Sequence, residues 1–191
     1  MTAFEAEPRL MPHVHLSVQH GDDIILKRMK RRHLARDVVR LSKELRKRRP
    51  DILLGADLIA GFPTETEQAH KATLALIEQA ELSHLHVFSY SDREGTPAVK
   101  MPKTDHADIR RRASELRDAG RKQYQKVVLC HVNKPDEILL EKSNQGYLRN
   151  FIRVNVSHDE LLPSGHIHKV KITHTDLNSK NTPSVIAELV E

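Results

Sequence analysis

Between Asp51 and Phe62 the chain reads DILLGADLIAGF, a nearly continuous apolar run. A strand wetted on one face alternates apolar and polar residues, so this run calls for burial on both faces, the condition of a parallel sheet covered by helices. Its flanks supply them. Upstream, Leu34, Val38, Leu41 and Leu45 recur at spacings of four, three and four beneath Arg36, Arg40, Lys43, Arg46 and Lys47. That pattern predicts an amphipathic helix that stops before Pro50. Downstream, residues 67–80 predict a second helix with Ala69, Thr73, Leu74, Ile77 and Ala80 inward.

Two further strands complete the pattern. HVHLSVQ, His13 to Gln19, alternates with Val14, Leu16 and Val18 on one side, and LSHLHVFSY reads as a third strand. After the first comes GDDIILKRMKRRH, with Gly21 as turn residue and Asp22 or Asp23 as the N-cap of a short basic helix. After the third, the loop SDREGTPAVKMPKT leads to a long helix from about Asp105 into the 120s, with Ile109, Ala113, Leu116 and Tyr124 at helical spacing. Strands alternating with helices predict parallel βα units with right-handed crossovers.

Beyond Cys130 the texture changes. DEILLEK, GYLRNFIRVNVSH, GHIHKVKITHT and SVIAELVE are short β-rich segments separated by turn residues. They predict a small barrel or sandwich, giving a first domain over residues 1–128 and a second over 129–191. At 191 residues and 38% hydrophobic content, the chain can bury a real core. No window is apolar enough for a membrane span, and MTAFEAEPRLMPH lacks the plan of a secretory signal, so a cytoplasmic protein with no membrane partner is expected. One cysteine, Cys130, excludes a disulfide framework.

The net charge of +5 is unevenly placed. Residues 26–49 hold twelve Lys/Arg against two Asp/Glu, a balance of +10, which leaves −5 elsewhere. Such a block is either a nucleic-acid footprint or a solvated helix face. The β-rich tail adds no basic charge, with seven Lys/Arg against eight Asp/Glu from His131 on.

In a parallel sheet, ligands bind beyond the carboxyl ends of the strands. Gly61, Phe62 and Pro63 stand at such an end. Gly61 permits close backbone approach, Pro63 stiffens the turn, Thr64 or Thr66 caps the next helix, and Glu67 reinforces its first turn. A rigid corner explains all of these residues without a ligand. Ser17 and Gln19 hold the same position after the first strand, and Arg93 follows the third, where it is either an anion ligand or a surface charge. Of the thirteen histidines, His166 and His168 share a strand face near His174, but no further ligand can be placed with them. They read as surface residues, His84 and His86 carry no site, and no metal ligand is assigned.

Taken together, HLSVQHGDDIILKRMKRRH, GADLIAGFPTETEQ and HVFSYSDREGTPA, in this order and spacing, resemble the later half of the radical S-adenosylmethionine (SAM) domain of tRNA methylthiotransferases. MKRRH and ADLIAGFPTET look most like the variant that acts on threonylcarbamoyladenosine beside the anticodon. The tail resembles the family's small TRAM barrel. The resemblance implies an α/β fold, the carboxyl-terminal half of a partial (βα) barrel followed by a small all-β TRAM-like barrel. It also implies SAM and 4Fe-4S clusters as cofactors and tRNA as partner. In the family, a reduced cluster cleaves SAM to a 5′-deoxyadenosyl radical, and a second cluster is involved in sulfur supply to carbon 2 of the adenine. Carried over, Ser17, Gln19, Arg31, Gly61, Phe62 and Pro63 become cofactor contacts. Lys27, Arg28, Lys30, Arg32 and Arg93 become RNA contacts, and no residue is assigned a catalytic role.

One departure decides how far the resemblance carries. The family's first cluster takes three thiolates from a CxxxCxxC motif, and this chain has one cysteine. The expectation is a truncated enzyme, inactive alone, that needs a separate amino-terminal fragment. As an isolated chain it should self-associate through exposed strand edges. The alternative is a non-catalytic RNA-binding module.

Overall fold

Three strands carry the first part of the chain in the computed structural model, which describes residues 2–176 and 184–190. The elements run α1 (Thr2–Ala6), β1 (His13–Gln19), α2 (Asp23–Arg28), α3 (Ala35–Arg48), β2 (Leu53–Ala60), α4 (Glu67–Gln79), β3 (His84–Ser89), a short 3-10 helix (Pro97–Lys100) and α5 (His106–His131). Five strands follow, β4 (Pro135–Lys142), β5 (Gln145–Leu148), β6 (Arg153–Val156), β7 (Ile167–Asp176) and β8 (Ser184–Leu189). The chain divides into two compact units. One holds Val14–Pro50 and Leu54–Gln123; the other holds the chain up to His13, Asp51–Leu53 and the chain from Tyr124 on.

In the first unit β2 lies between β1 and β3 and pairs in parallel with β3, Gly55 opposite His84, Asp57 opposite His86 and Ile59 opposite Phe88. Leu54, Ala56, Leu58 and Ala60 are completely buried, whereas Asp57 and Ile59 on the other face are half-buried. The burial expected on both faces therefore holds along one face and gives way on the other at Asp57 and Ile59. Asp57 is tolerated on the other because histidines of both neighbouring strands reach its carboxylate.

The helices start and stop for local reasons. Asp22 caps α2 by accepting from the Ile24 and Ile25 N–H groups. Asp37 accepts from the Leu34 N–H at the start of α3. Thr66 caps α4 through the Ala69 N–H at 3.1 Å. The inward side of α4 is Ala69, His70, Thr73, Leu76 and Ile77; Leu74, expected inside, lies half-buried on the shoulder of that stripe. Beyond Ala80, Glu81 takes a left-handed φ of 48°, and the Leu82 N–H returns to the Ile77 carbonyl, a Schellman closure. Arg46 donates to the Ala80 and Glu81 carbonyls at 3.0 and 2.8 Å. This part of the basic block thus seals a helix end. α5 continues to His131, past the expected end in the 120s, with Ile109, Ala113 and Leu116 buried.

In the second unit the strands close a barrel in the order β4-β5-β6-β8-β7, parallel between β6 and β8 and antiparallel elsewhere. Ile138, Leu140, Leu148, Ile152, Val154, Val170, Ile172 and Val185 fill it, with Leu53 and Val128 in the same cluster. Closure removes the edges an open sheet leaves. Gly146 is required, because a Cβ there would stand 1.9 Å from the Leu139 carbonyl oxygen.

Candidate functional site

β2 ends in a corner bonded at almost every step. Gly61 adopts φ +79°, and a Cβ on it would lie 2.3 Å from Ile109 Cγ1. Its N–H donates to Glu65 Oε2 at 2.5 Å. The Thr64 N–H reaches the Pro102 carbonyl at 3.0 Å, and Thr104 Oγ1 donates to the Phe62 carbonyl at 3.1 Å. Phe62 turns into an apolar cluster with Ile25 and Ala69, edge-on to Tyr90 at 5.4 Å.

Beneath this corner lies a buried polar network that the sequence reading missed. The Glu65 carboxylate accepts from His20 Nε2 at 3.1 Å and faces Arg112 Nη1 at 3.2 Å. Arg112 also donates to the Glu65 carbonyl at 2.9 Å. His20 Nδ1 accepts from the Asp22 N–H at 3.0 Å, which leaves the proton on Nε2 to face Glu65. Thr73 Oγ1 takes the Gly21 N–H at 3.0 Å, and His70 Nε2 meets Glu115 at 2.6 Å. Burial on its own would raise the Glu65 carboxyl, but hydrogen bonds from His20 and Gly61 and the Arg112 charge hold it below the ordinary carboxylate value. Its acceptors are already committed, so it holds the corner in place. Glu65 was legible only as one more acid in TETE; its position before the cap Thr66 in an otherwise apolar corner was the available signal.

The residues expected to contact cofactor fall on this rim unevenly. Ser17 is exposed on β1, and Gln19 is buried at its end with φ 72°. Gly61, Phe62 and Pro63 are buried within the corner, while Arg31 is exposed after α2. Of the expected RNA contacts, Lys27, Arg28, Lys30 and Arg32 are each exposed at or just beyond the end of α2, and Arg28 Nη1 donates to Thr64 Oγ1 at 2.5 Å, which ties Arg28 to the rim. Arg93 is exposed in the loop after β3, where its carbonyl accepts from Thr96 Oγ1. Cys130 is free and exposed. A cluster that needs three thiolates does not fit these residues.

The other face of the sheet brings together histidines that the sequence pattern did not group. His15 of β1 and His86 of β3 converge on the Asp57 carboxylate of β2, with ligand atoms within 4.8 Å of one another. His166, His168 and His174 form no such group among the described residues. His84, beside this cluster, is pushed below the ordinary imidazole value by burial and then by the neighbouring His86 and His15.

Residues 4–77 match the radical SAM superfamily. The chain is 46% identical over 164 residues to the threonylcarbamoyladenosine tRNA methylthiotransferase of Rickettsia prowazekii, covering 86% of this chain and 38% of that protein. It is 36% identical over 184 residues to the tRNA-2-methylthio-N(6)-dimethylallyladenosine synthase of Paracoccus denitrificans, covering 94% and 41%. Against the threonylcarbamoyladenosine tRNA methylthiotransferase of Thermotoga maritima it is 46% identical over 99 residues, 52% of this chain and 23% of that protein. The chain therefore spans about two fifths of the length of the first relatives named. Among the described residues, no helix is long and apolar enough to cross a membrane.

Proposed function

Because this chain belongs to the radical SAM tRNA methylthiotransferase family, we propose that it is the rim-and-barrel portion of an enzyme that methylthiolates threonylcarbamoyladenosine in cytoplasmic tRNA. In this reading the first unit is the carboxyl-terminal half of a partial (βα) barrel and the second a TRAM-like domain. The carrying observation is the Glu65 network, which spends a buried ion pair on fixing the turn that the family uses at its cofactor. What this chain's own residues do is orient. Glu65 sets the Gly61 N–H, Arg112 sets Glu65, and Gln19 and Gly61 present the ends of β1 and β2. The thiolates for a cluster would come from outside these residues, and the strands that carry them would cover the open edges of the three-stranded sheet.

The test is reconstitution with iron, sulfide and reductant. The chain alone is expected to show no thiolate-to-iron absorption and no 5′-deoxyadenosine, and a supplied amino-terminal half bearing CxxxCxxC should restore both. Cluster formation by this chain alone would overturn the reading.

A second reading, RNA binding without chemistry, is favoured by one specific feature of the barrel. In five-stranded barrels of this strand order the second and third strands form the usual oligonucleotide face. Here those strands are β5 and β6, with Tyr147 opposite Arg153 in register. Phe151, in the turn between them, is 46% exposed at φ 68°, its ring 4.8 Å from that of His13 and 6.2 Å from that of Tyr147. An exposed ring, Phe151, and a half-buried one, Tyr147, near an arginine are groups on which unstacked bases stack.

A further inference from the structure

β1, β2 and β3 each bring one potential metal ligand to the same level of the sheet. Asp57 and His86 are direct partners in the β2–β3 register, and His15 reaches Asp57 from the other side. His15 Nε2 lies 2.9 Å and His86 Nδ1 lies 3.3 Å from the same oxygen, Asp57 Oδ1. A zinc ion bound tetrahedrally at about 2.0–2.2 Å holds neighbouring ligand atoms roughly 3.3–3.6 Å apart. The two spacings to Asp57 Oδ1 are within a few tenths of an ångström of that range, and the two histidine ligand atoms lie within 4.8 Å of each other.

We propose that His15, Asp57 and His86 bind a divalent transition-metal ion of the zinc type through two imidazole nitrogens and one carboxylate oxygen. The donor set selects the ion: imidazole suits zinc, cobalt, nickel or iron, whereas magnesium and calcium prefer all-oxygen shells. The rings are seated for the purpose. A Cβ at Gly55 would stand 2.5 Å from His15 Nδ1, so glycine at that position makes room for the imidazole that turns Nε2 to Asp57. His84 and Phe88 lie edge-on to His86, with centroids at 5.6 and 6.5 Å, and fix its plane. The side chains of His15, Asp57 and His86 are 28%, 29% and 53% exposed, which leaves an approach from solvent. Three protein ligands leave a further coordination position for water or a ligand oxygen. The site uses neither the buried Glu65 network nor a cysteine, so it stands independently of the proposed function.

Titration of the full chain with Co²⁺ as probe, in chelator-free buffer, tests this. One ion per chain should bind with visible d–d absorption and be displaced by Zn²⁺. His86→Gln and Asp57→Asn should each weaken binding by about a hundredfold or more, since even outer-shell changes cost tenfold to a hundredfold. His166→Gln, on the barrel, should leave it unchanged. X-ray absorption on the zinc-loaded wild-type chain needs no variant and should read two imidazoles with oxygen donors. Absence of stoichiometric binding to the wild type, a sulfur donor in the shell, or full affinity in a folded His86→Gln would each overturn the assignment.

Discussion

Arg112 Nη1 stands 3.2 Å from Glu65 Oε2 with the two side chains 5% and 1% exposed. An ion pair this dry survives only because each partner has further bonds, the Gly61 N–H and His20 on Glu65 and the Glu65 carbonyl on Arg112. Removing one partner strands the other. Arg112→Met is expected to lose about 3–5 kcal/mol of stability, the usual cost of breaking a buried pair, and Arg112→Met with Glu65→Leu less than the sum. Urea unfolding of the single and double variants measures both; additive losses would refute the coupling.

Acid should act through the same carboxylate. Glu65 is depressed below 4.5 in the fold, so the unfolded chain binds the proton more readily. The stability from this group is therefore complete above the unfolded value and lost as pH falls through the folded one. Unfolding midpoints measured downward from neutral pH should fall below about pH 4.5 in the wild type and show a shallower acid limb in Glu65→Gln.

Gly61 tests the corner itself. Gly61→Ala places a methyl group against Ile109 at a positive φ, and should cost more than about 2 kcal/mol. Ile109→Ala in the same chain relieves the clash but not the backbone strain, so thermal unfolding should show partial rescue only.

RNA binding should separate into two contributions. Phe151→Ala and Tyr147→Ala are expected to weaken binding of an unstructured oligonucleotide or tRNA by about 1–3 kcal/mol for each stacked base, with little change in salt dependence. Replacing Lys27, Arg28, Lys30 and Arg32 together should flatten the dependence of log K on log salt, by about one unit for each phosphate contact removed. Filter binding across a salt series distinguishes them; unchanged affinity in both sets would exclude both surfaces.

Local signals made most elements legible in the sequence. Asp22 and Thr66 mark helix starts, and the alternation of Val14, Leu16 and Val18 marks β1. The site was less legible because its key contacts join residues far apart in the chain. Glu65 meets His20 and Arg112 across 45 and 47 positions, and Asp57 meets His15 across 42. No spacing rule carries such a pairing. His15, Asp57 and His86 also sit on strands whose apolar neighbours dominate the pattern, so Asp57 passed as part of the nearly continuous apolar run DILLGADLIAGF. Arg46 was legible as basic surface, yet its partners, the carbonyls of Ala80 and Glu81, exist only once α4 has ended beside it.

The two sheets differ in how many further strands each can accept. The barrel of β4 to β8 has a strand valence of zero, since every strand within it has two neighbours. The sheet of β1, β2 and β3 has a valence of two, one at each outer strand. Among the described strands, the open edges for strand addition, whether by a partner or by a second copy, lie on the sheet that carries the histidine cluster.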